Sequence, residues 1–361
     1  RLNAAFTNNA RTERVELVVS ASGSDLEESE KALNWMESIL FSPNIHVDNM
    51  ARIHDAVDLQ LSSLRNRTKG SEESWVNDPA NAFWKQDNPL YLSTSSFFTR
   101  SHALQRIKWQ LTEIPSSKDS EHFIRFVHEL SGLSSSADKT KISNILTELI
   151  SGKISDDNRR TDDIAYSLNE MDESSREKIL DILNDLLYSI SEIPDEGLQY
   201  DWPYLCSTVM TDVTLPPENV LMAEKELLSI IIGQKNVRSY LISSGSAAKI
   251  LEPGIGQLVQ KFHNEPFLPV NYGLTEHITN RLNDRYPDIK QPVYVGLRND
   301  NTRAGVHINS AESASYYDFD ESTLLDFLAA RLYGGGGAHS MFMKTWSAGL
   351  AYSNGLRSNE Y

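Results

Sequence analysis

From Asp119 to about Ile193 the apolar residues recur at helical spacing, and this run constrains the fold more than any other feature. Phe123, Phe126, Val127 and Leu130 share one helical face; Ile142, Ile145, Leu146 and Leu149 share a second; Ile179, Leu183, Leu186 and Ile190 share a third. Gly132 and Gly152 stand where helix-ending glycines belong, and the runs Ser134–Lys139 and Ser155–Asp163 read as polar connectors. The spacing therefore predicts an all-helical region across residues 115–215. No repeat of solenoid period extends it into an array.

The flanks read differently. Val15, Leu17 and Val19 alternate with Glu16, Val18 and Ser20, which predicts a strand ending near Gly23. Ser24-Asp25-Leu26-Glu27 has capping-box spacing, and Leu33, Met36 and Leu40 follow on one face of a helix to about Phe41. Met50, Ile53, Val57, Leu61 and Leu64 predict a long amphipathic helix after the Ser42-Pro43-Asn44 break. Gly70–Pro89 loses periodicity but carries Trp75, Phe83 and Trp84, which suits an aromatic-anchored loop or short helix; Leu104, Ile107 and Leu111 restore a helix before Pro115.

After Pro216-Pro217, Val220, Leu221, Leu227, Leu228 and Ile231 form a helix ending near Gly233. Val237–Ser243 reads as a strand, Ile255–Phe262 as helix, and Val293–Leu297 as a strand turning at Asp300-Asn301 into a partner with Val306 and Ile308. Leu324, Leu325, Leu328 and Leu332 then make a helix running into Gly334-Gly335-Gly336-Gly337. The expected fold class is α+β. Partial α/β units with helices on antiparallel-rich sheets occupy residues 1–114 and 216–361, joined by the helical region 115–215.

A length of 361 residues suits two or three compact units, and 40% hydrophobic with 23% charged residues provides a real interior. Thirty-four basic against fifty acidic residues give a net charge of −16, which repels phosphate backbones and anionic lipid and argues against a nucleic-acid partner. Cys206 is the one cysteine, so neither an intramolecular disulfide nor a cysteine-pair zinc site can form. No stretch has the apolar length of a membrane span, and the chain reads as soluble, with no signal naming a compartment. The opening Arg1-Leu2-Asn3 reads as a processed or truncated start.

Neither H-E-x-x-H nor H-x-x-E-H occurs among the nine histidines. At His128-Glu129-Leu130-Ser131, Gly132 takes the second histidine's place. A serine-hydrolase elbow is absent too, and the glycine run lacks both Walker spacing and a preceding strand.

Gly334–Ser340, then Met341–Ala348, then Gly349-Leu350-Ala351-Tyr352-Ser353 resembles a segment of the insulinase-like (pitrilysin-type) metallopeptidases. There a glycine-rich turn after a long helix opens a second helix that ends in a Gly-Leu-Ala-Tyr strand entry. More faintly, the strand at Val15, the helices from Ser24 and Asp48, and Ser95–Leu104 resemble the presequence-protease subgroup, in which a helical region separates α/β units.

The resemblance implies a zinc-free C-terminal half that closes a chamber over peptide substrate. Zinc, its ligands and the general base would come from an N-terminal half of the same protein. It implies no catalytic residue, metal or cofactor in this chain, and a chain continuing past Tyr361. Tyr352 falls on the family's substrate-holding tyrosine. Thr345 stands where its arginine partner is expected, with Lys344 beside it, and Gly335, Gly336 and Gly337 complete the implied contact segment. The missing arginine supports an alternative, a catalytically inactive member that scaffolds a complex. A free-standing helical adaptor is a third reading.

Overall fold

A computed structural model describes residues 1–9, 14–70, 75–114, 116–135, 137–153, 159–233, 237–262, 275–285, 305–308, 311, 313–335, 337–356 and 358. The chain forms two compact units, Arg1–Phe6 with Leu17–Arg303, and Thr7–Glu16 with Ala304–Tyr361.

The fold is mostly helical, not α+β. Strands β1 (Leu2–Asn9) and β2 (Arg14–Ala21) pair in a two-stranded sheet, the one sheet among the described residues. Val237–Ser243 has the composition of a strand but no regular structure, with Tyr240 and Ile242 83% and 99% exposed. β-Branched composition marks a segment that can extend, yet a strand also needs a neighbour for its backbone N–H and C=O groups. Val306 and Ile308 lie in irregular backbone as well, while Val293–Leu297 and the turn at Asp300-Asn301 lie outside the described residues.

In the first unit, α1 (Leu26–Phe41) begins one residue later than its capping box suggests. Asp25 accepts the Glu28 N–H at 2.8 Å, and the Glu28 carboxylate reaches back to the Ser24 N–H at 2.9 Å. These two bonds satisfy orphan donors at the helix start. The Ser24 hydroxyl and N–H bonds hold the Glu28 carboxyl below its ordinary pKa. After α1 come α2 (Met50–Thr68), α3 (Asn77–Trp84), α4 (Pro89–Ser95) and α5 (Phe97–Gln110). Helix α2 packs along α5.

The bundle that follows holds the principal core. It comprises α6 (Ser117–Ser131), α7 (Lys139–Ser151), α8 (Arg159–Asn169), α9 (Glu173–Glu192) and α10 (Leu198–Val213). The three apolar faces legible in the sequence meet here: Phe123, Leu130, Ile142, Leu146, Ile179, Leu183 and Leu186 are fully buried. Helix α8 occupies part of the stretch expected to be a polar connector, and it adds Ile164, Ala165 and Leu168 to the same core. Trp202 of α10 is buried with its indole N–H donating to the Leu130 carbonyl at 2.7 Å. That bond satisfies a donor which would otherwise be stranded in the apolar interior. Helices α11 (Glu218–Ile232), α12 (Gly245–Gln260) and α13 (His277–Arg285) complete the unit, with α12 against α1.

The second unit contains α14 (Glu321–Gly334) and α15 (Met341–Ser347), which pack on each other. No side chain of either helix is fully buried.

Candidate functional site

The residues singled out by sequence fall on the link from α14 through α15 to the segment beyond it. Asp320 starts α14 by accepting the Thr323 N–H at 2.8 Å, a bond that also lowers the Asp320 pKa. The helix stops in the glycine run, where Gly335 takes up extended backbone. Gly334 is required by close approach: a Cβ there would fall 2.8 Å from the Leu356 Cβ. Gly336 lies outside the described residues, and Gly337 faces open space.

Ser340 then caps α15 by accepting the Met343 N–H at 3.4 Å. At the other end Gly349 adopts φ +68°, the Gly349 N–H bonds the Trp346 carbonyl at 3.0 Å, and the Leu350 N–H bonds the Thr345 carbonyl at 2.9 Å. This pair of bonds is a Schellman ending, which favours glycine at its left-handed position. The Gly-Leu-Ala-Tyr motif is thus a helix stop that fixes the direction in which the chain leaves α15. In the expected reading it opened a strand; residues 351–356 have no regular strand structure.

Tyr352, three residues past the stop, is 71% exposed. Lys344 places its ammonium 5.9 Å from the Tyr333 ring centre, a cation–π distance. Thr345 turns inward. Its hydroxyl bonds the Met341 carbonyl at 2.8 Å and accepts the Asn354 amide N–H at 2.5 Å. The position expected to carry arginine therefore ties α15 to the segment that follows. The arrangement offers an exposed Tyr352 side chain and a fixed chain direction.

Among the described residues no group of three histidine, cysteine, aspartate or glutamate side chains is placed to hold a metal ion. His46 pairs with Asp48 at 3.1 Å on the surface, and His128 is exposed on α6. Cys206 is buried in α10, where desolvation pushes its thiol pKa far up and suppresses thiolate chemistry. No described helix is long and apolar enough to cross a membrane.

No family model, curated protein or solved structure matches the chain.

Sequence reading missed a second set of polar residues, Arg65, Gln105, Arg106 and Lys108, which sit at or near buried positions opposite Asp185 and Asp212. Their partners lie 40 to 120 residues away, so local spacing carries no trace of them.

Proposed function

We propose that this chain is the zinc-free half of an insulinase-like metallopeptidase, contributing peptide contacts while an N-terminal half supplies zinc and cleaves. The observation that carries this reading is the exposed Tyr352 phenol held just beyond the Gly349 helix stop. A phenol can donate to a peptide carbonyl or to the oxyanion that develops there. The resemblance of Gly334–Ser353 to that family supplies the chemistry. A net charge of −16 favours basic peptides as substrates through long-range attraction.

Thr345 favours a second reading. Its hydroxyl is engaged by Met341 and Asn354, and Lys344 beside it offers a less directional charge than a guanidinium fork. A catalytically inactive member of the same family, used as a scaffold, needs no arginine there.

Metal analysis of the purified chain, combined with a fluorogenic-peptide assay, tests the proposal. The expected result is no stoichiometric zinc and no hydrolysis by the chain alone, with hydrolysis appearing in the complete protein. A tightly held stoichiometric ion in this chain would overturn it; an inactive complete protein would favour the scaffold.

A further inference from the structure

Among the described residues, the bundle core takes one fully buried side chain, Trp109, from the helices that precede it. The other buried apolar side chains of α2–α5, Leu61, Ala82, Leu92 and Phe97, lie outside that core. The side-chain bonds that join the two packed regions are largely ionic.

Lys108, its side chain 5% exposed, lies 3.2 Å from Asp58 of α2 and 3.0 Å from both Asp181 and Asp185 of α9. Arg65 of α2 meets the other Asp185 oxygen at 3.0 Å, donates to the Gln105 amide oxygen, and lies 4.2 Å from the Tyr188 ring centre. Gln105 donates to Asp185 at 2.9 Å. Also on α5, Arg106 grips Asp212 of α10 with two bonds of 2.8 Å, and Gln110 adds a third at 2.7 Å.

A seam of this kind separates differently from an apolar interface. Its charges gave up water to form it, so parting the surfaces returns much of that hydration, and the net stabilisation is small beside the gross attraction. Asp58 and Asp181 are already about half exposed, at 45% and 54%, so water and salt reach the seam from its edge. Opening here parts α5 from α10, uncovers the Trp109 indole and rehydrates the charges, while the rest of the bundle core stays packed. Proteins open along such low-stability boundaries as cooperative units.

We propose that α2–α5 form an arm that parts from the bundle as a unit along this charged seam, which makes the seam a salt-sensitive conformational joint. The inference is independent of the peptidase reading. Nothing in it requires substrate or zinc.

Native-state hydrogen exchange with mass spectrometry on the full chain tests it. Raising salt from about 0.1 M to about 1 M shortens the screening length from about 10 Å to about 3 Å. Peptides covering α2 and α5 should then exchange about threefold to tenfold faster, while those covering Phe123–Leu130, Ile142–Leu149 and Ile179–Ile190 hold their rates. Lys108→Met, which leaves its carboxylates facing one another, should accelerate the α2–α5 peptides at least about tenfold with the same sparing of the bundle. Asp181→Asn, a half-exposed position that tolerates change, should give the same pattern at smaller size. Acceleration of both regions together, or of neither, would overturn the proposal.

Discussion

Arg106 and Asp212 form one ion pair, yet removing the two partners should have unequal consequences. Asp212 is fully buried and accepts two bonds from Arg106 and one from Gln110, whereas the Arg106 side chain is 40% exposed. Arg106→Met leaves a buried carboxylate with Gln110 as its remaining donor, a loss of about 3–5 kcal/mol. Asp212→Ala removes the same bonds but also removes the buried charge. The guanidinium, already in contact with water, rehydrates, so the residual loss is about 1–2 kcal/mol. The difference of about 2 kcal/mol corresponds to about 3 °C in melting temperature for a unit of about 290 residues. Urea titrations followed by circular dichroism, with unchanged m values, measure it directly. Equal losses within about 0.5 kcal/mol, or a larger loss for Asp212→Ala, would refute the reasoning.

Other outcomes follow from the same structure. Trp202→Phe removes the N–H that satisfies the buried Leu130 carbonyl and should lower stability by about 1–3 kcal/mol, read by the same titration. Cys206, buried with its thiol pKa raised, should resist thiol reagents at mildly alkaline pH in the native chain and react at the rate of unfolding. Burial alone would lower the Lys108 pKa, but the facing Asp185 and Asp181 reverse that and hold it above the ordinary lysine value of 10.5. A raised folded pKa means that its contribution is complete below the unfolded value and is lost as pH rises through the folded one. The melting temperature should accordingly fall above about pH 10.5, with Lys108→Met flattening that fall.

The bundle was legible because its signals are local and regular. Phe123 to Leu130 or Ile179 to Ile190 announces a buried helical face from within a dozen residues, and each face is buried as expected. Helix α10 falls within the region expected to be helical, and although Pro203 sits in its first half, Trp202, Cys206 and Val209 reach the core. The expected sheet failed for the opposite reason. Extended composition at Val237–Ser243 reveals nothing about whether another strand lies beside it. Lys108 and Asp185 were invisible in the same way, since a buried charge is explained by a distant partner. At the candidate site, the end of the second helix before Gly349 was expected, but the Ser340 cap was not singled out and the Gly349 motif was expected to open a strand, although both features are built from neighbours in sequence. The inward turn of Thr345 depends on Asn354, beyond the motif, and needed the structure.

Fluorescence anisotropy with a labelled, extended basic peptide tests the central claim most directly, titrating the chain and its Tyr352→Phe variant. Peptide gripping through the phenol predicts saturable binding that weakens about tenfold, or about 1.4 kcal/mol, when the hydroxyl is removed from an otherwise unchanged fold. Binding that is absent, or identical in the two proteins, would contradict it.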